Sequence, residues 1–259
     1  NGESIVEYEK ALMLNPENLN IKEKLAMAYA WSKNYRKSEE LYKKIIEKYP
    51  YNLAAYASLG EVLSWDKKYK ESLYYFEAAL LQKQDKNTRL LYAKALTLSG
   101  DYEQAEEILS RIIKEEPANL EAKICLAEAF AFGASFDKAI ALYREVLAVS
   151  NHDSEVKRKL ADVLSWDKKY GDSIKLYDQI LAETDDPKIR LQKARVLGWQ
   201  RRYTESLREY RRILDSKYDA NIDLEMKAKR QYWDNRVKQA IIYYKDQIRS
   251  SPENEEARF

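Results

Sequence analysis

Ser64-Trp65-Asp66-Lys67-Lys68-Tyr69 and Ser165-Trp166-Asp167-Lys168-Lys169-Tyr170 are the same six residues written twice in one chain. Their closing tyrosines belong to a longer series: Tyr35, Tyr69, Tyr102, Phe136, Tyr170, Tyr203 and Val237, spaced by 33 or 34 residues. A fixed period of this size is the signature of stacked repeats, each too small to bury its own apolar face and each packed against the next. It bears on function as well as fold, because such a stack offers a long surface and rarely a closed cleft.

The second repeat shows the unit. Tyr56, Leu59, Gly60 and Leu63 recur at helical spacing, Asp66-Lys67-Lys68 makes a turn, and Tyr69, Ser72, Leu73, Phe76, Ala79 and Leu80 mark the apolar face of a second helix. Each repeat therefore reads as a helical hairpin. Gly60 and its counterparts Ala26, Ala93, Ala127, Ala161, Ala194 and Ala228 are small, as are Ser38, Ser72, Ala105, Ala139, Ser173, Ser206 and Ala240 in the second helices. Small residues at both places let the two backbones approach. Between repeats, Pro16, Pro50, Pro117, Pro187 and Pro252 punctuate the chain, with Asn52, Asn119 and Asp186 placed to cap the next helix. The repeats run over 17–50, 51–84, 85–117, 118–151, 152–185, 186–218 and 219–252, making 1–259 a single array. Residues 1–16 read as the second helix of a partial unit and 253–259 as the start of another, so more repeats are expected on either side.

Composition narrows the classes. Six Gly and five Pro are few for 259 residues, and Leu, Ala, Lys, Glu and Tyr are abundant, which favours helix throughout. With 45 Lys and Arg against 43 Asp and Glu, the net charge of +2 gives no general pull toward nucleic acid or an anionic membrane. The basic pairs Lys67-Lys68, Lys168-Lys169 and Arg201-Arg202 are read as solubilising turn residues. No apolar run reaches the length of a membrane span. One Cys, Cys125, and one His, His152, cannot build a disulfide or a His/Cys metal site. There is no Gly-rich phosphate loop and no nucleophile elbow. Neither an enzyme nor a cofactor is expected. Cys125 is read as a packed small hydrophobe, and His152, in an inter-repeat turn, as an aid to capping.

The period, the paired small residues and stretches such as Gly100-Asp101-Tyr102-Glu103-Gln104-Ala105, closing at Pro117, resemble the tetratricopeptide repeat family over essentially the whole chain. The resemblance implies an all-α fold, a right-handed superhelical solenoid of antiparallel helix hairpins with the first helix of each hairpin lining the concave wall. Departures are Val237 in place of an aromatic, Gln231 where siblings carry Leu, Tyr or Phe, and Lys or Arg in turns where the family prefers Gly. A weaker final hairpin is expected. The recurring Leu-Ser-Trp pattern before Tyr also resembles tetratricopeptide arrays of bacterial outer-membrane exopolysaccharide exporters.

All five Trp fall in one register, four residues before the anchor: Trp31, Trp65, Trp166, Trp199 and Trp233, with Leu98 and Phe132 in the remaining repeats. On a helical wheel Trp65 lies about 170° from the centre of the face that meets its own second helix. By the resemblance the ring looks into the groove. One turn earlier stand Met27, Glu61, Lys94, Glu128, Asp162, Arg195 and Lys229, a row of changing sign. The residue before the ring is small in most repeats (Ala30, Ser64, Thr97, Ala131, Ser165, Gly198), leaving room for a ligand. The competing reading makes the rings interlocks, packed on the anchor four residues on or wedged between first helices.

The expected function is non-enzymatic: a scaffold module holding a partner protein segment in the groove, with Trp31, Trp65, Phe132, Trp166, Trp199 and Trp233 supplying area and the charged row setting register. The alternative is a polysaccharide stacked on the rings and bound through Glu61, Glu128 and Asp162. Nucleic acid and membrane insertion are not expected. Periplasm and cytoplasm both remain open.

Overall fold

A computed structural model describes residues 2–150, 153–215 and 222–250; the side chains of 2, 215, 222–230, 244 and 247–250 lie outside that description. The described residues form helices and no strand: α1 (Gly2–Leu14), α2 (Leu19–Trp31), α3 (Tyr35–Lys48), α4 (Leu53–Trp65), α5 (Tyr69–Gln82), α6 (Lys86–Ser99), α7 (Tyr102–Glu115), α8 (Leu120–Phe132), α9 (Phe136–Val149), α10 (Ser154–Trp166), α11 (Tyr170–Glu183), α12 (Pro187–Trp199), α13 (Tyr203–Asp215) and α14 (Ile222–Ser250). The all-helical, hairpin-by-hairpin class read from the period is the class the chain adopts. Two compact units divide it, Asn1–Ser135 and Phe136–Phe259. His152 and residues 253–259 lie outside the described residues.

In the first unit each helix packs on its sequence neighbours, α2 on α3, α3 on α4, α4 on α5, and so on to α7 on α8. The first helices also touch one another in succession, α2 with α4, α4 with α6 and α6 with α8. The stack is thus closest along the first-helix side and bends toward it. The first helices are buried on two sides as a result. In α4, Val62 is as fully buried as Leu59, Gly60 and Leu63. The sequence leads one to expect a single apolar face; the second arises because the second helix of the preceding repeat covers it. In the second unit the same pairing runs from α9 on α10 to α13 on α14.

Helix starts follow local chemistry. Asn18, Asn52, Asp85, Asn119, Asp153 and Asp186 each accept a backbone N–H of the first turn, as Asn52 Oδ1 does from Ala55 N at 3.1 Å. Pro187 sits in the first turn of α12, where its missing N–H costs nothing.

In three repeats the small residues of the two helices meet, and hydroxyls use the approach; Ala228 and Ala240 lie along one helix, where no such crossing forms. Ser72, Ser173 and Ser206 donate to the carbonyls of Gly60, Ala161 and Ala194, all at 2.7 Å. Gly60 makes the approach closest: a Cβ there would stand 3.0 Å from the Phe76 ring, so the ring would have to shift to admit one.

Every described hairpin turns the same way. The first helix ends in a Schellman motif, with Asn34 N on Tyr29 O at 2.8 Å, Lys68 N on Leu63 O at 2.9 Å and Lys169 N on Leu164 O at 2.8 Å. The residue that makes the reversal is left-handed: Lys33 (φ 63), Lys67 (φ 62), Gly100 (φ 93), Ala134 (φ 59), Lys168 (φ 61) and Arg201 (φ 65).

The seventh repeat corrects the sequence expectation. Ile222–Ser250 is one continuous helix rather than a weak hairpin. Asn235, at the register of the left-handed residues, stays helical. Its side chain is buried and donates to Ser206 Oγ at 2.9 Å, and it lies against Gly198, where an added Cβ would be 2.9 Å from Nδ2. Turning the chain at Asn235 would give up a buried hydrogen bond.

Candidate binding face on the first helices

The Schellman turn decides where the rings point. It places Trp31, Trp65, Phe132, Trp166 and Trp199 at the C-terminal residue of their helices, beyond the last buried turn. All are exposed, from 38% for Trp65 to 63% for Trp31, and so are Leu98 and Trp233. No ring of the register is sealed beneath a neighbouring helix. Some packing accompanies the exposure. Trp199 lies with its centroid 6.5 Å from that of Tyr170, the anchor of the preceding repeat rather than its own. Trp233 meets Tyr232 edge-on at 5.4 Å and carries the Arg236 guanidinium 5.3 Å above its ring.

The charged row one turn earlier divides by partner. In the first unit, Met27 packs against the core as a partly buried hydrophobe. Lys94 is bound to Glu121 at 2.7 Å. Glu128 is half-buried. In the second unit, Asp162 accepts from Arg158 at 2.6 Å and from the Tyr177 hydroxyl at 2.5 Å. Burial pushes its carboxyl up, and those two donors oppose the shift. The Tyr177 hydroxyl is driven up in turn by burial and by the carboxylate beside it. Arg195 Nε donates to Gln231 Oε1 at 3.1 Å, and the Tyr210 hydroxyl donates to the same oxygen at 2.6 Å. Gln231, marked in the sequence only as a departure, is thus the acceptor on which two groups converge. The Lys229 side chain lies outside the described residues.

Glu61 differs from all of these. It is half-buried, yet no hydrogen bond or ion pair within 4 Å engages it among the described residues. Burial holds its carboxyl above the usual carboxylate range, and Lys94 pulls the other way.

One polar notch opens beside a ring. In the second unit a cavity of about 120 Å³ is bordered by Trp199, Arg195, Gln231, Asp234, Asn235 and Lys238. The turn residues Lys67 and Lys68 and, from the first turn of α5, Lys70 border a broader hollow of about 520 Å³ in the first unit, where Lys68 is already tied to Glu39 and Asp66, both at 2.9 Å. Cys125 is buried and in no disulfide. Among the described residues no three His, Cys, Asp or Glu side chains gather as a metal site. No helix there is long and apolar enough to cross a membrane.

Hairpins of this length, stacked with their first helices in succession, define a helical repeat protein. Models described as tetratricopeptide repeat match residues 23–50, 66–130 and 134–196, and the chain belongs to that family. Proteins of the family generally serve as non-enzymatic scaffolds for protein interactions. Among solved structures, a tetratricopeptide repeat protein from Parabacteroides merdae superposes with a TM-score of 0.71 at 10% identity, over 87% of this chain and 90% of that one. PilW, a type IV pilus biogenesis factor, gives 0.69 at 16% identity over 80% and 96%. YrrB, a tetratricopeptide repeat protein with an unusual peptide-binding site, gives 0.52 at 16% identity over 75% and 97%. At these identities the likeness is one of fold. No curated protein matches the sequence.

Proposed function

We propose that the first-helix face of each unit holds an extended or helical segment of a partner protein, without catalysis. In the first unit the surface is Trp31, Trp65 and Phe132 with Glu61, Lys94 and Glu128. In the second it is Trp166, Trp199 and Trp233 with Asp162, Arg195 and Lys229. The observation that carries the reading is the exposure of every ring in the register. Isolated exposed apolar residues need no explanation, but a large ring at one register in every repeat except the third, where Leu98 stands, is a recurring cost in solubility. Aromatic rings give much contact area for little lost rotamer freedom, which suits them to anchor a bound segment. The peptide-binding site described for YrrB adds support at the level of fold alone.

One observation favours a second reading. The notch at Trp199 sets a ring beside two carboxamides, a carboxylate and two cations. That is a vocabulary for stacking a sugar and binding its hydroxyls, and it suits a polysaccharide ligand. Capture from a lysate by the wild type and by the Trp65→Ala and Trp166→Ala variants, followed by a glycan panel read through Trp fluorescence, separates the two. Specific proteins lost with the variants, and no fluorescence response to glycans, is the expected result. Equal capture by wild type and variants overturns the proposal, and a glycan response without protein capture transfers it to the second reading.

A further inference from the structure

We propose that Glu61 is the specificity-determining acceptor of the first unit, selecting a segment whose arginine or lysine side chain lies against the neighbouring indole and pairs with the Glu61 carboxylate. The inference rests on the proposed segment-binding role of this face and names the chemistry it prefers.

The argument begins with what Glu61 lacks. Asp162 holds the same register, four residues before its ring, and two donors of its own repeat satisfy it, Arg158 and Tyr177. The second repeat has neither. Ala57 stands where the fifth repeat has Arg158, and Phe76 stands where it has Tyr177. Tyr42, Tyr143 and Tyr210 also occupy that second-helix register, so Phe76 is the substitution that removes the hydroxyl. The nearest cation of the row, Lys94, has its ammonium on Glu121. A half-buried carboxylate with no internal donor retains its appetite for one.

The surroundings favour a cation over a neutral donor. Trp65 lies one turn on from Glu61 on the same face and is 38% exposed; Trp31 holds the same register one repeat earlier. A guanidinium laid on an indole beside a carboxylate gains a cation–π contact and a charge-assisted hydrogen bond together. An acidic side chain would meet repulsion from Glu61 instead. A neutral sugar hydroxyl would supply the hydrogen bond without the charge.

Capped tripeptides test the assignment: Ala-Arg-Ala, its citrulline analogue, which has nearly the same shape without the charge, and Ala-Glu-Ala. The readout is the set of indole N–H resonances of the five Trp, with Trp65 assigned through Trp65→Phe. The arginine peptide is expected to move the Trp65 resonance with an affinity about fivefold above that of the citrulline peptide, the size of a partly desolvated ion pair. In Glu61→Gln that ratio falls to about one while the melting transition is retained. Equal response to arginine and citrulline in the wild type, or a preference that survives Glu61→Gln, overturns the assignment and leaves the segment-binding face standing. A face that answers a neutral oligosaccharide but no peptide overturns both.

Discussion

Glu61 and Asp162 occupy one position in two repeats and show how a single side chain sets local energetics. Both carboxyls are held up by burial, Asp162 despite two donors and Glu61 with none. A carboxyl whose folded-state value lies above its unfolded one binds protons more readily when folded. Its contribution therefore favours the folded state below the unfolded value and is lost as pH rises through the folded one. Ionised Glu61 accordingly costs stability at neutral pH. Glu61→Gln is expected to be more stable than the wild type at pH 7, with the difference closing below about pH 4, where the unfolded carboxyl also holds its proton. Denaturant melts at the two pH values check this; an unchanged difference would deny the burial. The serines supply a second contrast at this scale. Ser173 donates to Ala161 O, whereas the equally buried Ser38 Oγ has no partner. Ser173→Ala should lose about 1 kcal/mol and Ser38→Ala close to none, measured by urea unfolding.

Among elements, the hairpin turn is the most uniform part of the chain and the most strained. Four of its six left-handed positions carry Lys or Arg, at a cost near 1 kcal/mol each relative to a residue without a Cβ. Lys67→Gly and Lys168→Gly should each raise stability by about that amount, less the backbone entropy a glycine brings. No gain in either would mean that the lysine side chains stabilise their turns by contacts of their own. Hairpins, helix starts and turns were legible in the sequence because their causes are local: a repeat of 33 or 34 residues, Asn or Asp before each first helix, small residues at the crossing. What escaped depends on neighbours distant in the chain. Val62 is buried by the preceding repeat, Gln231 gathers Arg195 and Tyr210, and Ser hydroxyls reach carbonyls across the hairpin. The unbroken α14 escaped for the same reason. Asn235 is a residue suited to a left-handed turn, and its burial against Gly198 with the hydrogen bond to Ser206 favours the helical form instead.

For the molecule as a whole, repeats that touch only their neighbours make stability roughly a sum of local terms. The ring register could serve that sum or stand outside it. The sequence placed the rings on the side turned away from their own hairpin, and their exposure agrees; it left open whether they lock the repeats together. The measurement that bears most directly on this is urea unfolding of Trp31→Ala, Trp65→Ala, Trp166→Ala and Trp199→Ala, singly and combined, with Tyr177→Ala as the buried control. Rings that present a surface should each cost no more than about 0.5 kcal/mol and add when combined, while Tyr177→Ala loses about 3 kcal/mol or more. Losses from the Trp variants as large as that of the buried tyrosine would make the rings internal locks and contradict the binding face.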